Sequence, residues 1–323
     1  LKKLLGMLCG LWILPAMPAK AINITVSVPP LAGMIAPLLD QDDELQLLLT
    51  PGASPHGFQL KPSHLQALHT SDLVITVGTP VDAWAQKVKL PDGQTLRMAQ
   101  LEGIETLPFR AGGIWQKGGH VHADEHEHDE HHEHEQQAAD SHKELPPYDG
   151  HIWMSVDNAR ILIQAASRKL QQLKPESSAE IAQRTEDWLA KISVQDVKNQ
   201  TILNPFQEVP FLVLHDAFHY FEHHYGLNGV GSIRLNPEIA PSLKRILELR
   251  ARVKAGEVQC IFKEPQFPEK RILAVTKGLE VNTETLDPMG VTYAPEGKQF
   301  SDYDLFIGEL ARHMQNCFEK KRD

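Results

Sequence analysis

The sequence predicts the α/β class: two α/β lobes joined by a long rigid linking helix. Three observations carry that expectation. Short apolar strands alternate with helical segments in both halves of the chain, the rhythm of α/β architecture. A helical run without internal Gly or Pro follows Pro175 and continues to about residue 200, near the midpoint. The chain has 323 residues, enough for two domains of roughly 100–200 residues, each with its own core. The expected organisation is a signal peptide at 1–21, an amino-terminal lobe at 22–173, the linking helix at 174–200 and a carboxy-terminal lobe at 201–323. A low-complexity loop at 112–147 interrupts the first lobe.

The elements follow in order. Residues 22–28 (INITVSV) alternate at period two and read as a strand, followed by Pro29-Pro30 and an apolar helix over 31–39. A strand at 45–49 leads into the turn Pro51-Gly-Ala-Ser-Pro-His56, then a short helix at 62–69 and a buried strand at 72–77. From Asp157 to Leu173 apolar residues recur at helical spacing. After Pro175, Ser177-Ser-Ala-Glu180 has the spacing of a capping box. Ile181, Trp188, Leu189, Ile192 and Val197 carry the apolar face onward, giving some 39 Å of helix at ~1.5 Å per residue. The second half repeats the rhythm. Strands are expected at 211–214 and 258–262, helices from about Phe218 and over 241–255, a helix or strand at Leu273-Ala-Val, and a terminal helix at 305–315.

Composition narrows the function. The 42 acidic residues against 32 Lys and Arg give a net charge of −10, which argues against a nucleic-acid partner. Seventeen histidines stand against five Tyr and five Trp, and eight of them (His120, His122, His126, His128, His131, His132, His134 and His142) lie in one tract. Residues 120–144 alone carry a net −8, so most of the acidity is local. Lys2 and Lys3, the apolar run Leu4–Leu14 and the Ala19-Lys20-Ala21 cleavage pattern read as a secretory signal. The run is too short for a membrane span of ~20 residues, and nothing downstream matches it. The chain is therefore expected to be exported. Beyond the signal only Cys260 and Cys317 remain. In an exported chain such a pair suggests one disulfide, worth roughly 4 kcal/mol by loop entropy, the alternative being two free buried thiols.

Enzyme signatures are missing. The sequence holds no G-x-S-x-G, Walker A, G-x-G-x-x-G or H-E-x-x-H pattern, so a hydrolase is a distant alternative. Among histidines outside the tract, His56, His151 and His215 sit at loop positions beside predicted rigid elements, where binding groups concentrate. Taken singly, each is more simply a hydrogen-bonded structural histidine.

The series Thr50-Pro-Gly-Ala-Ser-Pro-His56, Asp149-Gly-His-Ile-Trp-Met-Ser155, Leu214-His-Asp-Ala-Phe-His-Tyr-Phe-Glu222, Asn236-Pro-Glu238, Cys260-Ile-Phe-Lys-Glu-Pro-Gln-Phe267 and Leu286-Asp-Pro-Met-Gly290 changes that balance. In this order the motifs resemble the metal-binding (cluster A-I) solute-binding proteins of bacterial ABC importers, in particular their periplasmic zinc-binding members. The resemblance spans essentially the whole chain after the signal. It implies two α/β lobes, a rigid connecting helix, a metal site in the cleft between the lobes, and an inner-membrane ABC permease as partner. It implies no enzymatic activity; a monomer is expected.

On that resemblance His56, His151 and His215 match the three ligand histidines, and Zn²⁺ would be the transported ligand rather than a catalytic cofactor. Some zinc-binding members place Glu before the first histidine, where this chain has Pro55. The fourth ligand is then Asp287, which matches a carboxylate ligand of manganese-binding relatives, or water. Manganese-binding relatives have Glu where this chain has His215. Imidazole there favours Zn²⁺ over the harder Mn²⁺, leaving a manganese receptor as the nearer alternative. Glu264 is either an orienting partner of a ligand imidazole or an ordinary ion-pair residue. His219 and His223 are expected at the surface or in packing. The histidine tract resembles the acidic histidine loop of the family and is expected to bind zinc more weakly than the cleft.

Overall fold

The pattern of apolar strands pairs in parallel throughout. A computed structural model of the chain describes residues 20–91, 93–110, 115, 148–234 and 240–320. The signal up to residue 19, the histidine tract and Asn236-Pro-Glu238 lie outside the described residues. Among the described residues no helix is long and apolar enough to cross a membrane.

In the first lobe β1 (Asn23–Val26), α1 (Pro29–Ile35), β2 (Glu44–Leu47), α2 (Pro62–Thr70), β3 (Leu73–Thr76), α3 (Ala83–Gln86) and β4 (Thr95–Arg97) build a parallel sheet of order β2-β1-β3-β4. Then α4 (Val156–Leu173) and α5 (Ser178–Leu203) lead to the second lobe. There β5 (Phe211–His215), α6 (His219–Tyr225), β6 (Gly229–Arg234), α7 (Leu243–Lys254), β7 (Cys260–Lys263), α8 (Lys270–Thr276) and β8 (Asn282–Thr285) form a second parallel sheet, ordered β6-β5-β7-β8. The two sheets share one winding order. In each, the direction reverses between the first and third strands, and ligands of such folds gather at the carboxyl ends flanking that reversal. In the second lobe those ends are His215, closing β5, and Glu264, just after β7.

Sequence periodicity located most elements, and the differences have local causes. Pro37 lacks an amide proton, and the helix expected over 31–39 gives way to a 3₁₀ turn at Ala36–Leu38. Ser177 makes no side-chain cap; the 3₁₀ turn Pro175–Ser177 feeds α5 directly, so the expected capping box is not formed. Val197 faces solvent at 68% exposure rather than extending the apolar stripe. The segment around Leu273 is helical. Strands β4, β6 and β8 were not expected from sequence, and all three are edge strands: β4 and β8 are short and polar, Thr-Leu-Arg and Asn-Thr-Glu-Thr, and β6 carries Gly229 and Gly231.

The connector is held from both sides. Trp188 Nε1 of α5 donates to the Met34 carbonyl in the first lobe, while Asn199 Nδ2 donates to the Ile307 carbonyl of the terminal helix α9 (Tyr303–Glu319). That helix returns across α5 and touches α1, so one continuous buried cluster runs through both lobes. The structure pairs Cys260 of β7 with Cys317 of α9 in a disulfide, both sulfurs fully buried. Asp196 of α5 gathers α4 and α6: it accepts from Arg160 Nη2 at 2.9 Å, His224 Nε2 at 2.8 Å and Tyr225 OH at 2.9 Å.

This cluster makes stability depend on pH. The hydrogen bond to Asp196 holds His224 above its ordinary 6.5. Burial alone would raise Asp196, but the bonds from His224 and Arg160 bring it down to about 2. The His224 contribution is complete below its unfolded value of 6.5 and is lost as pH rises through the folded value. That of Asp196 is present above 3.8 and fades as pH falls toward 2. His224→Gln is therefore expected to cost most between those limits and less at high pH. Urea titrations of both proteins at pH 5.5 and 8.5 should show the stability gap shrinking by about 1 kcal/mol or more at the higher pH, the size of one charge-assisted bond.

Candidate metal site

Each of the three candidate histidines is fixed by a different local device. His56 lies in the 3₁₀ turn Pro55–Gly57, whose N-cap Ser54 Oγ accepts from the His56 amide, and the Trp84 indole pins the Pro55 carbonyl at 3.0 Å. His151 precedes the turn Ile152–Met154. Its neighbour Gly150 packs directly on the first lobe: a Cβ there would meet Thr79 Oγ1 at 2.9 Å and Val81 Cγ2 at 3.0 Å. The loop can approach that closely only with glycine. His215 is the last residue of β5, so its direction is set by the sheet. Helix α6 begins only at His219, which leaves His215 off the helix that carries His219 and His223.

Two carboxylates orient two of the rings. His151 Nδ1 donates to Asp149 Oδ1 at 2.6 Å, and the same oxygen accepts the His151 amide at 3.0 Å. His215 Nδ1 donates to Glu264 Oε1 at 2.6 Å, with the His215 amide at 3.2 Å. An ionised carboxylate only accepts, so the proton of each neutral ring stays on Nδ1 and the Nε2 lone pair points the other way.

Those lone pairs converge. One ring nitrogen from each of His56, His151 and His215 lies within 4.8 Å of the others, and the ring centroids are 5.2–5.4 Å apart. His151 Nε2 and His56 Nε2 stand 3.4 Å apart, the spacing of ~3.4 Å set by a tetrahedron with ~2.0–2.1 Å bonds. His215 Nε2 is buried without a hydrogen-bond partner among the described residues. A buried imidazole nitrogen with no hydrogen-bond partner, beside two others, is suited to a cation. Phe267, Pro288 and Met289 wall the apolar side of the pocket.

Charge favours the same occupant. Burial, then repulsion from His215 and His151, keeps His56 well below 6.5, so its ring is neutral and ready to donate a lone pair. Burial pulls His215 down as well, but the Glu264 carboxylate overcomes it and leaves the ring above 6.5. Asp149, though burial raises it, is held low by His151.

Asp287 is not brought into this cluster. It is fully buried, and its oxygens accept from Gln266 Nε2, the Met289 amide, and both the amide and hydroxyl of Thr292, at 2.6–2.9 Å. A carboxylate with four donors already aimed at it is committed to its own loop. His219 Nδ1 stands 3.9 Å from Asp149 Oδ2, and His223 is exposed beside Glu105. Asp149 was missed in sequence as an orienting group, although a carboxylate two residues before a candidate ligand was the available signal.

The fold has known counterparts. Residues 24–317 match the family described as ZnuA, zinc-uptake complex component A, periplasmic. The chain belongs to the ZnuA family. High-affinity zinc uptake system proteins ZnuA from Brucella suis and Haemophilus ducreyi are 30% and 31% identical to it, over 92% and 91% of this chain and 92% and 93% of theirs. The Yersinia pestis protein of the same name is 28% identical over 95% of this chain and 98% of its own. Among solved structures, a ZnuA crystal structure superposes with TM-score 0.72 at 21% identity, covering 93% of this chain and all of that one. The periplasmic zinc-binding protein TroA of Treponema pallidum does so with TM-score 0.72 at 16% identity, over 93% of this chain and 100% of its own. ZnuA proteins are periplasmic metal-binding receptors of ABC importers, which places a membrane permease among their partners.

If Asp149 and Glu264 orient the ligand rings as described, Glu264→Gln should weaken zinc binding by roughly 10–100-fold without unfolding the chain. Competition against a fluorescent chelator, with a thermal melt as control, measures both.

Proposed function

We propose that this chain captures Zn²⁺ in the periplasm with His56, His151 and His215, holds it where its two lobes meet, and presents it as cargo to an inner-membrane ABC permease. The observation that carries this reading is the convergence of three ring nitrogens within 4.8 Å, one of them buried and unpartnered. Three imidazoles suit Zn²⁺, and a carboxylate-poor donor set disfavours Mn²⁺. A water as fourth ligand completes the tetrahedron, since Asp287 is engaged elsewhere. Membership of a receptor family, with no H-E-x-x-H or other catalytic motif in the sequence, favours binding without turnover over a hydrolase. The receptor acts as a monomer, exported by cleavage after Ala21. The tract His120–His142 adds weaker zinc sites, its eight histidines and interspersed carboxylates supplying ligand atoms at short sequence spacing.

Imidazole must be deprotonated to bind, so protons compete with zinc. His215 sits above 6.5 and protonates first as pH falls; His56, far below, competes only in stronger acid. Zinc affinity should therefore begin to fall above pH 6.5, not below it, and zinc binding near pH 7 should release protons. Calorimetry in buffers of different ionisation enthalpy reads that release.

Native mass spectrometry across divalent metals separates the parts of this proposal. His215→Ala should lose the tight zinc site, while deletion of residues 120–144 should lower the stoichiometry and retain it. A tight site surviving in His215→Ala would refute the three-histidine assignment, and an unchanged stoichiometry in the deletion would remove metal sites from the tract.

A further inference from the structure

Glu264 and Gln266 flank Pro265 in the loop after β7, and both line the pocket that holds the three histidines. Glu264 turns Oε1 to His215, while its Oε2 is buried without a hydrogen-bond partner among the described residues and is the charged alternative acceptor in this pocket. Gln266 has a different arrangement. Its Nε2 donates to Asp287 Oδ1 at 2.6 Å, and its Oε1 is buried with no hydrogen-bond partner among the described residues. The side chain can in principle rotate by half a turn and exchange those two atoms. Asp287 forbids it: a carboxylate oxygen that already accepts the Met289 amide needs a donor opposite it, so the amide NH₂ must face Asp287. The carbonyl oxygen is left buried, unpaired and on a side chain that lines the metal pocket. A buried acceptor without a partner has lost its hydration and gained nothing in return, which marks it as a group waiting for a donor.

We propose that Gln266 Oε1 accepts a hydrogen bond from the water that completes the zinc coordination, and that Asp287 acts through Gln266 as the residue that sets its orientation. The inference rests on the three-histidine reading above. Zinc makes its bound water a strong proton donor, and such a water in a buried pocket needs an acceptor. Asp149 and Glu264 each have one oxygen turned to a ligand ring, whereas Gln266 offers a neutral oxygen. A neutral acceptor holds the water without adding charge to a site whose two carboxylates already match a divalent cation. Asp287 thus keeps a role in metal binding one step removed from the metal.

Gln266→Met keeps the volume and removes both polar atoms. It is expected to weaken Zn²⁺ binding roughly tenfold in chelator competition, the lower end for loss of an outer hydrogen bond. Loading with Co²⁺ in place of Zn²⁺ gives a second readout, because its visible absorption reports the geometry around the metal. The variant should show a shifted and altered band, and its titration of the bound water should move to a different pH. Unchanged zinc affinity together with a superimposable cobalt spectrum in Gln266→Met would overturn the proposal. His215→Ala, run alongside, keeps the two readings apart: if it loses tight zinc while Gln266→Met does not differ from wild type, only the role of Gln266 fails. If His215→Ala retains tight zinc, the site itself is misassigned.

Discussion

The site depends on one repeated interaction, a buried carboxylate gripping the Nδ1–H of a histidine. Asp149 does this for His151 and Glu264 does it for His215, each at 2.6 Å. The first pair belongs to the loop that follows the first sheet, the second to the carboxyl ends of β5 and β7. Because both carboxylates also accept the backbone amide of the histidine they hold, ring and main chain are fixed together. The Nε2 atoms are then directed at one point, where His56 meets them. Without those grips, three imidazoles this close would turn to relieve their mutual repulsion, which already depresses His56.

Convergence across two lobes also requires that the lobes keep their relation. The 26-residue helix α5 provides this through contacts in both directions: Trp188 to the first lobe, Asn199 to the terminal helix, and Asp196 to α4 and α6. At the cleft itself Tyr220 of α6 donates to the Asp149 carbonyl and accepts from the Leu107 amide, so the His151 loop is anchored on the opposite lobe. Arg110 extends the same contact, pairing with Asp216 and Glu222 beside His215. A rigid frame lowers the ordering cost of binding, which for a small cation with few contacts decides affinity.

Much of this was legible in the sequence because it rests on periodicity and on residue types. The buried strands at 72–77 and 211–214, the helices from Asp157 to about residue 203 and the α/β rhythm all announce themselves by apolar spacing. The edge strands β4 and β8 do not, since half-exposed strands need no apolar face. The three histidines could be nominated from their loop positions, but nothing local separates a ligand from a structural histidine. Only the fold brings residues 56, 151 and 215 together. Asp287 shows the opposite difficulty: the sequence left it and water as alternatives for the fourth ligand, and in the fold Gln266, Met289 and Thr292 already donate to its carboxylate. Which partner an acidic group takes depends on donors supplied by the folded chain, and spacing alone does not contain them.

The most direct test is a crystal structure of the chain loaded with less than one equivalent of Zn²⁺, with anomalous diffraction recorded on both sides of the zinc absorption edge. The account predicts a single strong anomalous peak bonded to Nε2 of His56, His151 and His215 at ~2.0–2.1 Å, with one water as the fourth ligand. A peak bonded by the Asp287 carboxylate, or one lying away from the three histidines, would contradict it.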